Sequence, residues 1–310
     1  MKKIIFAVLI VIIGYVSFVL LKPVRSTKTS VQVNCTEGAL MRNFMNLPNW
    51  QNWWPGKKIN DTTFTFNDEN YIVKNLLANG VMLQVKSDNK VEPVYLQYEA
   101  INDTSCYLTW IAALPKNSGI ADKILHSFST DHSAKNIKLL LDSIKIFFND
   151  PVNIYGFKAV LSKVSDPHLI SVKKQYLNYP NTEDIYANIK SLQTFAAING
   201  AKQTNPPMIN IHQSESGVGV DAMIAIPIDI ALQPNGNFLP KFMIQGALLQ
   251  AQIIGGASKV QKALSAFENY LTDYKLSAPA IPYQSLVTDR TIVIDSNKWI
   301  TNIYQPIFRK

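Results

Sequence analysis

An internal repeat in the C-terminal half of the chain most strongly limits how it can fold. Residues 170–177 have the alternating pattern of a strand, a helix begins after Asn181, and residues 206–209 begin another strand. The same order returns roughly 72 residues later, with a strand at 242–250, a helix at 257–275 and a further strand. Either half alone would leave a sheet edge unpaired, so we expect two halves in pseudo-twofold register with a ligand groove between them.

The first 25 residues contain a long apolar run. Residues 4–21 carry no charge, and Lys22 ends the run. About 18 apolar residues can cross the hydrocarbon core of a bilayer, whereas a cleaved signal peptide has a shorter apolar region and a small-x-small cleavage site. Positive charges flank both ends, and the short basic head favours export of the remainder. The sequence predicts a single-pass anchor over residues 1–25, a cell-membrane location and extracytoplasmic domains.

The charge distribution argues against a nucleic-acid partner. Thirty Lys and Arg against 22 Asp and Glu give a net charge of +8, but the basic residues are scattered singly or in short pairs. The four histidines and two cysteines show no metal-ligand spacing, so neither a metal nor another cofactor is expected. Cys35 and Cys106 are either two reduced thiols or one disulfide, and the sequence leaves this open.

Residues 27–150 have the pattern of an antiparallel sheet with a helix before and after its hairpins. A strand at 27–34 leads into a short helix capped by Thr36, and β-like stretches separated by turns follow over residues 62–112. Residues 134–148 place apolar side chains at helical spacing and predict a long amphipathic helix. A sheet folded around such a final helix often leaves an apolar cavity.

The first predicted helix is followed by an aromatic segment, LPNWQNWWP, at residues 47–55. Together with the order of elements, this segment makes residues 27–150 similar to START-like or polyketide-cyclase (SRPBCC) helix-grip proteins. The resemblance implies a deep hydrophobic pocket for a lipid or aromatic molecule, and it brings no universal catalytic residue. Trp50 and Trp53 are the candidate ligand contacts, with packing in the core as the alternative.

Five segments of the C-terminal half carry a second resemblance. They are PPM at 206–208, AIPI at 225–228, GG at 255–256, YQSLVTD at 283–289 and DSNKWITNIYQPI at 295–307. They make residues 165–310 similar to the effector-binding, or GyrI-like, domain known from AraC-type and MerR-type transcription regulators.

The second resemblance implies a cleft of aromatic rings that accepts apolar, often cationic, aromatic compounds beside a buried carboxylate. Tyr283, Gln284, Trp299 and Tyr304 are the cleft contacts that it suggests. Gln284 stands where the family pattern has its acid, and a neutral amide cannot neutralise a cation. Asn302 likewise occupies a position that is often acidic in relatives.

These expectations combine into one functional prediction. The chain is predicted to be α+β, with a transmembrane helix, a helix-grip domain at 27–150 and a duplicated strand-helix-strand effector-binding domain at 165–310. It would sequester or sense a hydrophobic or aromatic small molecule near the bilayer. The alternative is an enzyme, a hydrolase or cyclase acting on a lipophilic substrate in one of the clefts, which requires an acid and a base in one pocket. No catalytic residue is predicted.

Overall fold

The computed structural model divides the chain into two compact units, Met1–Asp150 and Pro151–Lys310. The described residues are 27–87, 90–112, 130–243 and 245–308. The fold is a mixed α+β fold with two curled antiparallel sheets, one in each unit, which confirms the predicted α+β class. The predicted domain limits, 27–150 and 165–310, remain predictions.

The first unit is built on a seven-stranded antiparallel sheet. Its strands are β1 (Thr27–Val33), β2 (Lys57–Lys58), β3 (Thr63–Phe66), β4 (Glu69–Leu77), β5 (Gly80–Ser87), β6 (Lys90–Asn102) and β7 (Ser105–Ala112). From β2 to β7 each strand pairs with the next, and β1 pairs with β7. Gly80 begins β5 with a φ of 155°, and a Cβ there would lie 2.2 Å from the Leu96 carbonyl oxygen. The β4–β5 turn therefore requires glycine.

Among the described residues of the first unit, three helices accompany this sheet. They are α1 (Glu37–Met45), α2 (Trp50–Trp53) and α3 (Thr130–Phe148), and a 3-10 turn at Leu47–Asn49 lies between α1 and α2. The Thr36 hydroxyl accepts a hydrogen bond from the Ala39 N–H at 3.3 Å, which confirms the predicted helix cap. The predicted final helix is also confirmed, and its apolar side chains Leu140 and Ile144 are fully buried.

The second unit is built on an eight-stranded antiparallel sheet. Its elements are α4 (Pro151–Tyr155), β8 (Val160–Lys163), β9 (His168–Tyr176), α5 (Thr182–Ile198), β10 (Met208–Gln213), β11 (Val220–Pro227), β12 (Leu239–Phe242), β13 (Ala247–Ile254), α6 (Ala257–Asp273), β14 (Tyr283–Leu286) and β15 (Ile300–Ile307). The strand order is β12-β9-β11-β10-β14-β15-β13-β8. The order has a symmetry about its centre. Counted from one edge, the strands are β12, β9, β11 and β10, and counted from the other edge, the corresponding strands are β8, β13, β15 and β14.

Local signals in the second unit were predicted with mixed success. Asn181 caps α5, since its side-chain oxygen accepts a hydrogen bond from the Asp184 N–H at 2.7 Å, as expected. The strand predicted at 242–250 is wrong in its limits. The chain leaves β12 at Phe242 and begins β13 at Ala247, so one apolar run supplies parts of two strands.

One face of the second sheet is covered by α5. Ile170 of β9 and Ile224 and Ile226 of β11 are fully buried in a core cluster with Leu192 of α5. Because side chains alternate across a strand, the residues directly before and after each of these isoleucines point to the opposite face of the sheet.

The predicted membrane location is not supported. Among the residues that the structure describes, no helix is long and apolar enough to span a bilayer. This finding overturns the prediction of a single-pass membrane protein with extracytoplasmic domains. The anchor predicted over residues 1–25 lies outside the described residues.

Candidate functional site

A cavity of about 610 Å³ lies on the face of the second sheet opposite α5. Met223 and Ala225 of β11 line this cavity, whereas Ile224 and Ile226 belong to the core beneath α5. The strand is therefore apolar on both faces, and α5 covers only one of them. The second apolar face is left to line a hollow, which we call the apolar cavity.

Methionine is prominent in the walls of the apolar cavity. Three of the seven methionines of the chain, Met208, Met223 and Met243, line it. Unbranched, polarisable methionine side chains adapt their shape to a neighbour at little cost. The volume also falls within the roughly 300–1,000 Å³ that is usual for small-molecule sites. The volume and the lining of the cavity both suit an apolar ligand of moderate size.

The rim of the apolar cavity exposes large apolar side chains. Phe242, Ile281 and Phe308 are 64%, 57% and 64% exposed, and all three line the cavity. Large apolar groups that are exposed together mark surfaces where something binds, because water solvates them poorly. The cavity is thus open to solvent and has an apolar entrance.

A second hollow of about 300 Å³, here called the polar pocket, shares Tyr283 and Met208 with the apolar cavity. The rings of Tyr283 and Tyr304 stack there, with centroids 5.0 Å apart and planes 16° apart. Burial raises the pKa of Tyr283 well above its ordinary value, and the nearby Tyr304 and Asp166 add to the rise. The Tyr283 hydroxyl is therefore neutral near pH 7.

Asp166 provides a carboxylate in the polar pocket. Its oxygens accept hydrogen bonds from Ser165 at 2.5 Å, Thr204 at 2.6 Å and Asn205 at 2.5 Å. Desolvation acts to raise the pKa of Asp166, but these three hydrogen bonds outweigh it and leave the pKa below its ordinary value. The exposed Lys163 also lines the pocket. No ion pair joins Lys163 to Asp166 in the described part of the chain, so the ionised carboxylate faces the pocket without an ion-paired cation.

Two buried oxygens in the polar pocket lack partners within the described residues. They are the Ser162 hydroxyl oxygen and the Asn302 side-chain carbonyl oxygen. The Asn302 amide nitrogen donates a long hydrogen bond of 3.5 Å to the Tyr304 hydroxyl. Buried polar atoms are normally hydrogen-bonded, so these two oxygens mark a place for a hydrogen-bonding group that the described residues do not supply.

The structure divides the four predicted cleft residues into two pairs. Tyr283 and Tyr304 line the polar pocket. Gln284 lies between the two pocket residues Tyr283 and Ser285 on β14, so its side chain is on the α5 face, where it contacts Tyr179. It is 4% exposed. The Gln284 side chain, which the resemblance suggested as a cleft contact, therefore lies on the opposite face of the sheet from the polar pocket.

Trp299 likewise does not line either hollow described above. Its indole N–H donates to the Val293 carbonyl at 2.6 Å, and the guanidinium carbon of Arg290 lies 4.6 Å from its ring centre. This cation–π contact places Trp299 with Arg290 and not with the Tyr283–Tyr304 pair. The assignment of Gln284 and Trp299 as ligand contacts remains a prediction, without support from their positions.

Trp50 and Trp53 lie in the aromatic core of the first unit. Trp50 is fully buried and Trp53 is 2% exposed, with ring centroids 4.5 Å apart. Phe44 stacks on Trp53 at 5.0 Å and accepts the indole hydrogen bond of Trp50 on its carbonyl oxygen at 3.0 Å. These contacts correspond to the core-packing alternative. A ligand role for the two tryptophans stays a prediction.

Sequence reasoning missed Asp166 and the methionines. The alternation of Met223 with Ile224 in β11 was an available signal, since a strand that is apolar at every position is buried or lined on both faces. Asp166 carried no local signal, because its importance depends on Tyr283, which is distant in sequence. No group of three His, Cys, Asp or Glu side chains suited to a metal occurs among the described residues.

Comparison with known proteins gives weak structural likeness. No family model and no curated protein matches the chain. An EcmrR–DNA complex is similar at 15% identity over 63% of this chain and 74% of that chain, with a TM-score of 0.45. The EcmrR C-terminal domain is similar at 13% identity over 50% and 99%, with a TM-score of 0.44. SAV2435 bound to tetraphenylphosphonium is similar at 12% identity over 49% and 94%, with a TM-score of 0.34.

At these identities and TM-scores the neighbours assign neither the GyrI-like nor the helix-grip family to this chain. TM-scores below 0.5 denote partial overlap of folds, so what those proteins bind does not transfer to this chain.

Proposed function

We propose that this protein binds a hydrophobic or aromatic small molecule in the apolar cavity of its second unit. The observation that carries the proposal is the hollow of about 610 Å³ with walls of methionine, leucine and aromatic side chains. Each square ångström of apolar surface removed from water stabilises a complex by about 25 cal/mol before the costs of association. A ligand that fills the cavity and covers its exposed rim would gain such burial on both partners.

The polar pocket sets the preferred orientation of this ligand. Its Asp166 carboxylate is ionised, and the unpartnered oxygens of Ser162 and Asn302 are acceptors. A hydrogen-bond donor or a positive charge would satisfy these groups, whereas an anion would be repelled. The ligand would therefore place an apolar body among the methionines and a donor group beside the Tyr283–Tyr304 pair.

The finer architecture belongs to the same proposal. The second unit would be a GyrI-like domain made of two strand-helix-strand halves in pseudo-twofold register, and its strand order supports this. The first unit, limited to about residues 27–150, would be a helix-grip domain in which the antiparallel sheet accompanies the long helix α3. The function of the whole would be sequestration or sensing of the bound compound.

A filled-cavity variant tests the proposal with a neutral fluorescent probe, N-phenyl-1-naphthylamine. Gly246 lines the cavity, and no atom lies within 4 Å of the place where its Cβ would be. Gly246→Phe therefore puts a ring into the hollow with no clash at the point of attachment. Overpacking a formed site costs about 1–3 kcal/mol, so we expect the affinity for the probe to fall roughly tenfold or more.

Glu268→Phe, on an exposed position of α6, is the matched control, because it adds the same ring away from the cavity. It should leave the probe titration unchanged. Equal affinity of the wild type and Gly246→Phe, with both proteins folded, would exclude the apolar cavity as the binding site. Failure of the wild type to bind the probe would count against the proposal as a whole.

A further inference from the structure

Arg290 is a buried cation in the loop between β14 and β15. It is 7% exposed. Its backbone N–H donates to the Tyr186 hydroxyl at 2.9 Å, and its Nη2 donates to Thr301 Oγ1 at 2.9 Å. The Trp299 ring lies against the guanidinium, 4.6 Å from its carbon atom. These contacts fix the position of the charge.

No carboxylate neutralises Arg290 within the part of the chain that the structure describes. The neighbouring carboxylate of Asp289 instead accepts hydrogen bonds from the backbone and hydroxyl of Thr291. The Nε atom of Arg290 is buried and has no acceptor among the described residues. An unpaired buried charge is strongly unfavourable, so this site lacks a negatively charged partner.

The tyrosines near Arg290 do not provide that negative charge. Burial raises the pKa of Tyr179 and of Tyr186, so both hydroxyls are neutral near pH 7. Desolvation lowers the pKa of Arg290, but a guanidinium is so basic that it stays protonated at neutral pH. A fixed positive charge therefore persists without a formal counter-charge.

Further hydrogen-bonding groups lie beside the guanidinium. Tyr179 lies close enough to Arg290, Gln261 and Gln284 to interact with all three. A tyrosine hydroxyl can donate its proton to an acceptor. Tyr179 is 40% exposed, and Gln261 is exposed as well. Solvent thus reaches the side of the site that Tyr179 and Gln261 form.

We propose that Arg290, with the Tyr179 hydroxyl as a second donor, binds the carboxylate or phosphate group of a small molecule. A planar guanidinium carries five N–H donors in a geometry that suits oxyanions, and among the described residues only Thr301 accepts a hydrogen bond from this one. Since Arg290 itself is almost entirely buried, a single small group can reach it and an extended acidic surface cannot. Gln284 and Trp299 thereby acquire roles as positioning residues, holding Tyr179 and the guanidinium in place.

This oxyanion site is separate from the apolar cavity. Thr301, which contacts Arg290, lies one position before Asn302 of the polar pocket on β15, and alternate side chains of a strand point to opposite faces. The proposal therefore goes beyond the binding of a hydrophobic ligand. Either proposal can fail without the other.

The test uses the full chain, with inorganic phosphate and acetate as separate probes in isothermal titration calorimetry. Sodium chloride at equal ionic strength serves as the reference, because salt alone screens surface charges. We expect saturable binding of one anion per chain. Phosphate binding without acetate binding would identify a phosphate group as the ligand chemistry, and the reverse would identify a carboxylate. Absence of binding by both overturns the proposal.

Arg290→Met keeps an unbranched apolar side chain and removes the charged guanidinium. A hydrogen bond to a charged group is worth enough that its loss should weaken anion binding at least about tenfold. Lys262→Met removes an exposed cation from α6 and should leave the affinity unchanged. Equal affinity of the wild type and Arg290→Met would overturn the proposal. Binding of N-phenyl-1-naphthylamine should be the same in all three proteins, which separates this test from that of the cavity.

Tyr179→Phe decides the question if Arg290→Met does not fold. It removes only a hydroxyl from a partly exposed ring, so the fold should be retained. The expected result is anion binding weakened severalfold with an unchanged melting temperature in the absence of anion. Wild-type affinity in this variant would rule out the second donor and, with it, the site as proposed.

Discussion

Tyr283 of β14 and Tyr304 of β15 are paired directly across the sheet, and their rings stack with centroids 5.0 Å apart. Tyr283 also lines both hollows of the second unit, so this pair forms part of the boundary between the apolar cavity and the polar pocket. A ligand that enters either hollow meets a rigid aromatic surface with a neutral hydroxyl at its edge.

Replacing Tyr283 should therefore weaken the binding of aromatic ligands. Tyr283→Leu keeps an apolar side chain but removes the ring, and an aromatic pair is worth about 0.5–1.5 kcal/mol beyond its buried area. We expect the affinity for N-phenyl-1-naphthylamine, measured by fluorescence titration, to fall about 2- to 10-fold. Tyr107→Leu, which alters an exposed tyrosine of the first unit, is the control. Equal binding by both variants would contradict a role for the stacked pair.

Asp166 should favour positively charged ligands. Tetraphenylphosphonium and tetraphenylborate are close in shape and opposite in charge. The ratio of their affinities therefore reports the electrostatic potential at the binding site. We expect the wild type to prefer the cation and Asp166→Asn to lose most of that preference, because a neutral amide contributes no charge. Glu268→Gln, at an exposed position of α6, changes the net charge by the same amount away from the pocket and should leave the preference unchanged. A preference that survives Asp166→Asn would assign the selectivity to other groups.

The cation preference should also depend on pH in a defined direction. Hydrogen bonds keep the pKa of Asp166 below its ordinary value of about 3.9, so the carboxylate is ionised in the folded protein at any pH above that value. The affinity ratio should be the same at pH 8 and pH 5 and should fall only below about pH 4. A decline between pH 7 and pH 5 would show that Asp166 is not the charged group.

Two buried tryptophans of the first unit should respond differently to the same substitution. The Trp50 indole N–H donates to the Phe44 carbonyl at 3.0 Å, whereas that of Trp53 has no acceptor among the described residues. Both substitutions to Phe lose similar buried area, but only Trp50→Phe leaves a carbonyl without its donor. The free energy of unfolding in urea should fall by about 1 kcal/mol more for Trp50→Phe. Equal losses would mean that the Trp53 N–H is satisfied.

The two cysteines should be unreactive in the native protein. Cys35 and Cys106 are buried and form no disulfide, and burial together with the nearby Glu37 raises the pKa of Cys106 to about 11. Because the thiolate is the reactive form, a disulfide reagent such as dithionitrobenzoate should modify neither residue at pH 8. Both should react at once in guanidinium chloride. Rapid reaction in buffer alone would contradict their burial.

Local signals predicted the elements of the fold well. Thr36 and Asn181 cap helices as their sequence contexts indicate, because a cap requires only the residues that follow it. The repeat likewise predicted the order of strands and helices in the second unit, because each element is recognised from the pattern of its own residues. Prediction was poorest at residues 242–250, where one apolar run is divided between β12 and β13.

The candidate site was predictable only in part. Tyr283 and Gln284 are adjacent, and the sequence could not tell which of them meets the ligand cavity. That choice depends on which face of β14 is covered by α5, and this is a property of packing between distant segments. The role of Asp166 was not predictable either, because nothing near it in the sequence indicates that it faces Tyr283.

The sequence by itself determined the periodicity of the strands and helices, their caps and the repeated order of elements, because these depend on interactions between near neighbours along the chain. Only the tertiary structure decided that Tyr283 and Tyr304 share a pocket with Asp166, while Gln284 and Trp299 lie with Arg290 across the sheet. The physical reason is that side chains of a strand alternate between two faces, and the assembled layers decide what each face meets.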